Sequence, residues 1–458
     1  MNPALLKPLN PMRPLKNNSL TIFEFDKVVK EKDGAKGTAV PSRVFTWLKT
    51  QCLKDSDDAR WLKLTQENKQ DAIQVTSYVG VIRDPYGFLI EVLPKTGKQT
   101  PDEAKMREIL IEKMREILIE MLKCLGFAEF EHIKKDNADL RAKRMPLWEV
   151  FIQQFLLAVH SLVKRGLRSD YVARQENLFA LRGRLLVARQ ISQNLVRPDR
   201  FFTEHDEFLQ DRAENRLIHT ALRHVLAMCQ SPENQRVARE LSFVFADVPL
   251  SVDVALDFQR IRLDRGMSYY ESALNWAKLI LRELSPITGV GEHRAPSLLF
   301  PMEKVFEAYV AKHLKRQLRD GYTLKEQASS KYLVTHEGEK WFRLKPDLLV
   351  KHGEKHCLIL DTKWKLLYAK KNNGNDKYDL SQADFYQLYA YGHNYLKGNG
   401  DLVLIYPKTD DFPKPLPVFE FQESSGKMRL WVLPFCLEKR QLILPPDKTL
   451  YKYFEQVL

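Results

Sequence analysis

The chain has 458 residues, 44% of them hydrophobic and 10% aromatic, which is too long for one ordinary core and too apolar for a disordered chain. Its 72 Lys and Arg against 59 Asp and Glu leave a net charge of +13, a balance suited to a polyanionic partner. Five scattered cysteines (Cys52, Cys124, Cys229, Cys357, Cys436), never in a CxxC spacing, argue against a disulfide framework and for a reducing cytoplasm. No apolar run approaches the roughly 18 residues of a membrane span.

Residues 1–18, with four prolines, read as a flexible leader without the apolar core of a signal peptide. Residues 19–135 read as a β-rich N-terminal domain. It opens with the strand-like LTIFEFDKVV, passes through a short helix around PSRVFTWLKTQCL, and continues with QVTSYVGVIRDPYGFLIEVLPK, two apolar strands about a turn holding Asp84, Pro85 and Gly87. A helix is expected over 102–125. It contains a perfect tandem repeat, KMREILIE at 105–112 and again at 113–120. Eight residues at about 100° each overshoot two turns by about 80°, so the copies cannot share one face. The repeat reads as a local insertion that lengthens the helix by about 12 Å, not as a coiled coil, which needs a period of seven.

DNADLRAKR at 136–144 is a linker, and 136–290 read as a mixed, mainly helical middle domain with helices near 146–166, 211–229 and 268–285. Between the first two helices, residues 164–200 carry nine Lys and Arg against three Asp and Glu, among short β-like pieces and turns. Such a segment is either a solvated face or a surface for a partner or anion, with Arg182, Arg184 and Arg189 its central cations. A second linker, SPITGVGEHRAPS at 285–297, leads into the last domain, 291–458. There a helix at 301–319 precedes strands at YTLKEQ, KYLVT, RLKPDLLV and HCLILDTKWK, a helix at LSQADFYQLYAYGHNYL, and the strand GDLVLIYP. Strands and helices alternating in this way predict an α/β layer with one mixed sheet, so the fold class is α+β multidomain.

Within that layer, Pro346-Asp347 and Asp361-Thr362-Lys363 bracket a strand, a KHGEK turn and a second strand. Pairing of the two strands brings Asp347 and Asp361 together, and the two-residue period puts Lys363 on the side of Asp361. Two such carboxylates suit a hard divalent ion, Mg²⁺ with Mn²⁺ as a substitute, which polarises a phosphate and acidifies a bound water. A lysine there orients that water or stabilises developing negative charge. On the preceding helix, Glu303 and Glu307 are candidate further acids, with Glu303 the better fit to a plain surface residue. On the following helix, Gln387 and Tyr391 share a face, as either site residues or packing. His352, His356 and Cys357 in the turn invite a zinc proposal, but no second Cys/His pair exists to complete four ligands.

This last domain resembles the PD-(D/E)xK nuclease superfamily. More specifically, LVKRGLRSDYV, LRGRLLVARQI, EFLQDRAENRLI, RLDRGMSYYESALNWAKLIL and LDTKWK…ADFYQLYAYG together resemble McrC, the nuclease subunit of McrBC-type modification-dependent restriction systems. The resemblance runs from about Tyr78 to the C-terminus, leaving residues 1 to about 70 and the duplicated octapeptide outside it. It implies catalytic Asp347, Asp361, Lys363, Glu307, Gln387 and Tyr391, with Asp347, Asp361 and Glu307 on the metal. It also implies cleavage of double-stranded, base-modified DNA in complex with an McrB-like AAA+ GTPase ring whose hydrolysis the chain stimulates. In agreement, the sequence has no GxxxxGK[ST] phosphate-binding loop of its own. The segment 164–200 is the expected ring-binding element, with direct DNA contact as its competing use. The intact Asp347, Asp361 and Lys363 argue against the alternative of a regulatory activator with a decayed nuclease.

Overall fold

The computed structural model describes residues 19–31, 38–54, 61–67, 69–85, 87–95, 104–125, 145–282, 297–421 and 427–455. The expected leader, the linker at 136–144 and all but Ser297 of the second linker lie outside them. The chain forms two compact units, Met1–Arg144 with Leu299–Leu458, and Met145–Leu298.

The N-terminal part of the first unit contains β1 (Ser19–Phe23), β2 (Lys27–Lys30), β3 (Ala39–Val40), α1 (Ser42–Lys54), β4 (Leu62–Glu67), β5 (Gln70–Val75), β6 (Tyr78–Arg83), β7 (Leu89–Leu93) and α2 (Ala104–Leu122). The single strand expected at LTIFEFDKVV is two. Phe25 takes a left-handed φ of 64°, and the turn sends β1 to β7 in one sheet and β2 to β5 in another. The β6–β7 turn closes as its sequence suggests, Asp84 Oδ1 accepting the Phe88 N–H at 2.6 Å.

α2 shows what context does to identical sequence. In the second octapeptide Met114, Ile117, Leu118 and Ile119 are buried, whereas in the first Met106 and Ile109 are exposed. Arg115 of the second copy makes two parallel hydrogen bonds, both 2.7 Å, to the buried carboxylate of Glu91 on β7. Among the described residues the equivalent Arg107 makes no such pairing, and it is the second copy that is fastened to the sheet.

The second unit contains α3 (Leu147–Arg165), β8 (Asp170–Leu178), β9 (Arg184–Leu185), α4 (Val187–Asn194), β10 (Phe201–Leu209), α5 (Ala213–Met228), α6 (Pro232–Val244), α7 (Val254–Arg260) and α8 (Glu271–Arg282). α3, α5, α6 and α8 pack together, with Phe151 against Trp276 at 6.0 Å between ring centroids. Where the sequence suggested short β pieces and loops, β8 and β10 pair antiparallel along nine residues, from Leu178↔Phe201 to Asp170↔Leu209. The mixture of polar and aromatic residues hid this strand pair: β8 is largely exposed, Tyr171 included, while β10 mixes buried Phe202, Thr203 and His205 with exposed Asp206 and Phe208.

The C-terminal part of the first unit follows: β11 (Ser297–Pro301), α9 (Met302–Leu314), β12 (Tyr322–Glu326), β13 (Lys331–His336), β14 (Glu339–Leu344), β15 (Leu348–His352), β16 (Lys355–Thr362), α10 (Gln382–Leu396), β17 (Gly400–Pro407), β18 (Phe419–Glu420), β19 (Met428–Cys436) and β20 (Gln441–Leu442). β12-β15-β16-β17-β19-β18 form the expected mixed sheet, antiparallel at β15–β16 and parallel from β16 through β17 to β19. Its central strands are continuous apolar runs because both faces are covered. α10 covers one face, with Leu388, Tyr391 and Tyr395 against Ile359, Leu402 and Leu404. RLKPDLLV does not make one strand: β14 leaves the sheet to pair with β13, and the chain re-enters it at β15 after Lys345-Pro346-Asp347.

Candidate active site

Leu348 pairs with Leu360 and Leu349 with Ile359, so Asp347 and Asp361 meet one step beyond the end of this ladder and continue the face that Leu349 and Ile359 present to α10. Strand pairing thus fixes both acids on one edge of the sheet. Asp361 is 1% exposed, and Lys363 stands 2.8 Å from its Oδ2 through Nζ. Asp347 Oδ2 accepts two hydrogen bonds from Thr362, from the backbone N–H and from Oγ1, both 2.8 Å.

The charges are crowded. Burial, and then the neighbouring charge of Asp347, push the Asp361 carboxyl up to about 7, against the pull of Lys363. Burial and the charge of Glu307 raise Asp347 as well, opposed by its Thr362 hydrogen bonds. For Lys363, burial acts to lower the pKa, but the surrounding carboxylates of Asp361, Asp384 and Asp347 outweigh it, and the ammonium is held charged.

Glu307, half-buried on α9, lies near enough to Asp347 to raise it, but its oxygens are engaged: Oε1 by Gln327 Nε2 at 2.8 Å and Oε2 by Lys304 Nζ at 3.2 Å. Glu303 is exposed. Gln387 Oε1 accepts from Lys363 Nζ at 3.1 Å, Gln387 Nε2 donates to Tyr391 OH at 2.8 Å, and Tyr391 OH donates to the Lys345 carbonyl at 3.1 Å. The four residues Asp361, Lys363, Gln387 and Tyr391 therefore form one connected network, with Asp347, held by Thr362, and Glu307 beside it.

The donors fit a hard divalent ion. Asp361 Oδ2 is buried, touches the Lys363 ammonium, and has no aligned hydrogen bond. It sits beside the carboxylate of Asp347, whose pKa burial and the charge of Glu307 also raise. Among the described residues no three His, Cys, Asp or Glu side chains converge closely enough to ring a metal by themselves. An ion here would rest on Asp347 and Asp361, with water and substrate oxygens for the remainder, as Mg²⁺ is commonly held.

A family model described as "McrBC 5-methylcytosine restriction system component" matches residues 73–407. The chain belongs to this McrBC family. It is 23% identical over 266 residues to the type IV methyl-directed restriction enzyme EcoKMcrBC of Escherichia coli K12, covering 55% of this chain and 74% of the relative. It also superposes, with a TM-score of 0.61 and 20% identity, on a chain of the refined half-complex from the tetradecameric assembly of Thermococcus gammatolerans McrB AAA+ hexamers with bound McrC. That likeness covers 94% of this chain and 97% of the other, and it shows a shared fold. Every candidate site residue falls inside the McrBC match, and residues 1–72 fall outside it.

Asp384 was not among the residues expected from the sequence. In the first turn of α10, its Oδ1 is 3.5 Å from Lys363 Nζ and its Oδ2 accepts from Tyr406 OH at 3.3 Å. Its spacing three before Gln387 was the available signal, since that puts both on one helical face. Gln327, whose backbone N–H donates to the Asp347 carbonyl at 2.7 Å, carried no signal at all. The turn residues invoked for zinc are separately occupied: the His352 ring packs against Tyr322, His356 Nδ1 contacts the Tyr395 carbonyl, and Cys357 Sγ contacts the Lys355 carbonyl. In the other unit, Arg182 is exposed, Arg184 lies 3.9 Å from Glu204 with its side chain 78% exposed, and the Arg189 guanidinium sits 5.3 Å over the Phe202 ring. Among the described residues, no helix is long and apolar enough to cross a membrane.

Proposed function

We propose that this chain is the McrC-type nuclease subunit of its restriction system, hydrolysing phosphodiesters of base-modified double-stranded DNA when joined to an McrB-like AAA+ GTPase ring that it stimulates. The observation that carries the reading is the juxtaposition of two carboxylates, buried Asp361 and half-buried Asp347, with the Lys363 ammonium 2.8 Å from the first. That set supports the PD-(D/E)xK reading of the sequence motif.

Asp347 and Asp361 would hold the divalent ion, Mg²⁺ or Mn²⁺. When bound, such an ion supplies positive charge to the scissile phosphate and acidity to a water. Lys363 places a fixed positive charge beside that position, where it stabilises negative charge as it develops on the phosphate oxygens. Asp384 and Gln387 keep the ammonium from swinging away, and Tyr391 fixes the Gln387 amide so that its oxygen, not its nitrogen, faces Lys363. Thr362 holds Asp347 from two directions, leaving Oδ1 free of those two bonds. Glu307 would join the metal only by releasing Gln327 or Lys304.

The test is reconstitution with the cognate ring, GTP and Mg²⁺ on methylated and unmethylated duplexes. Cutting of methylated DNA that EDTA and Asp361→Ala both abolish is the expected result. Cutting that survives Asp361→Ala, or efficient cutting by the chain alone, contradicts the proposal.

A further inference from the structure

The hairpin β13–β14 stands apart from the main sheet, and it leads directly into Asp347. Of its twelve strand positions only Leu344 is buried, and Leu333, Val334, Trp341 and Phe342 are all exposed, from 44% to 69%. An isolated two-stranded hairpin is marginal in water, so exposed apolar residues on one need a reason. The hairpin is also stiff. Its tip is a two-residue turn in which Glu337 and Gly338 both have positive φ, 49° and 86°, matching the twist of the strands. Val334 pairs with Trp341, whose ring packs on His336 at 4.7 Å. Phe342, 69% exposed, is held at φ 54°, a conformation an aromatic residue rarely adopts.

Its root is fastened to the candidate active site. Tyr395 OH contacts the carbonyls of Ala328 and Leu344 at 3.1 and 2.9 Å, and Arg343 Nε donates to the Ser329 carbonyl at 2.7 Å. Tyr391, bonded to Gln387 and through it to Lys363, donates to the carbonyl of Lys345. A strand of six residues reaches about 20 Å, roughly six base pairs of duplex. Lys331, Lys340, Arg343 and Lys345 are exposed along this reach against only Glu337 and Glu339 at the tip.

We propose that β13–β14 is a DNA-gripping arm, its lysines on phosphates flanking the scissile bond and Trp341 and Phe342 against the groove or between base steps. The inference rests on the nuclease reading, because the arm gains its meaning from the site at its root. Cations paired with exposed, rigid aromatics are the surface chemistry that wedges and holds duplex DNA. The apolar residues alone would equally suit a protein, but the lysines and the tie to Asp347 favour the polyanion that must pass that point.

Three full-length variants test it: Lys331→Glu with Lys340→Glu, Trp341→Ala, and Phe342→Gly, the last retaining the backbone because glycine accepts the positive φ. Duplex affinity is measured across a salt series with the chain alone, and cleavage and GTP turnover with the cognate ring. The double reversal should lower the log–log salt slope by about 2, one contact per lysine, and each aromatic variant should slow cleavage at least tenfold with GTP turnover unchanged. An unchanged salt slope with wild-type cleavage overturns the arm while leaving the nuclease reading standing. Loss of GTP stimulation instead assigns the hairpin to the ring and also overturns it. If the wild-type chain never cuts, the nuclease reading fails separately, and the salt slope still decides whether the hairpin holds DNA.

Discussion

Trp364 Nε1 donates to Glu24 Oε1 at 2.6 Å, joining residues 340 positions apart: Trp364 directly follows Lys363, and Glu24 directly follows β1. The same carboxylate oxygen accepts the Lys95 N–H at 3.1 Å, and the other, Oε2, is buried without a hydrogen bond. Trp364 in turn packs on Phe306 of α9 at 5.2 Å between ring centroids, one residue from Glu307. This acid–indole contact thus fastens the N-terminal part to the edge of the candidate site, in addition to the pairing of β6 with β11.

Burial pushes Glu24 up to about 8, against the Lys95 N–H, the Trp364 indole and the Lys95 charge. Because this acid titrates higher folded than unfolded, the folded state binds the extra proton between about 4.5 and 8. Its contribution to stability is therefore full below about 4.5, declines as pH rises by at most about 1.4 kcal/mol per unit, and is gone above about 8. Glu24→Gln keeps an acceptor for Trp364 and removes the titration. Urea unfolding at three pH values between 5 and 8 should show a flatter stability profile for the variant than for the wild type. Identical slopes would mean that Glu24 is ionised in the fold.

Lys363 is held from three sides, by Asp361, Asp384 and Gln387. Replacing the lysine removes the charge itself, and Lys363→Ala should slow single-turnover cleavage by about 10²–10³. Asp384→Asn leaves the ammonium with two partners, so it should slow cleavage by about tenfold. Neither variant should alter stimulation of the ring's GTP turnover. A wild-type rate for Asp384→Asn would reduce Asp384 to a partner of Tyr406.

The duplicated octapeptide offers a stability comparison within one helix. Arg115→Ala leaves Glu91 buried without its two-armed partner, which should cost about 3–5 kcal/mol. Arg107→Ala, at the same place in the first copy, should cost less than about 0.5 kcal/mol. Thermal unfolding of the two variants checks this, and equal losses would mean that both copies are anchored.

Much of the candidate site was legible because it depends on local rules. Apolar runs named β15 and β16, the short turn paired them, and the two-residue period put Lys363 beside Asp361. Gln387 and Tyr391 followed from the helical period of α10. Long-range geometry was not legible. Nothing in the spacing says that Trp364 will meet Glu24, that Glu307 will turn to Gln327, or that two copies of KMREILIE will differ in burial. Those outcomes depend on which surfaces tertiary packing brings together. The β8–β10 ladder was hidden for a different reason: β8 is largely exposed, and the buried residues of β10, Phe202, Thr203 and His205, do not alternate as apolar against polar.

Residues 164–200, expected from the sequence to bind the ring, carry their cations on a fixed turn. Arg182 and Arg184 flank Gly183, whose φ of 71° and close approach to β10 leave no room for a side chain: a Cβ there would lie 2.4 Å from the Glu204 carbonyl. The turn is therefore fixed, and it presents both arginines outward near exposed Phe179 and Leu181. Arg189 differs, because it stacks on Phe202 and so contributes to local packing. Reversing Arg182 and Arg184 to Glu should abolish stimulation of GTP turnover and cleavage together, with the unfolding temperature unchanged. Adding Arg189→Glu should lower that temperature as well. Asp361→Ala, in contrast, should abolish cleavage only. Partner GTP turnover and a cleavage assay, run side by side on each variant, separate the two jobs. If the double reversal still stimulates the ring, the arginines serve DNA or solvent, and the docking assignment for this turn is wrong.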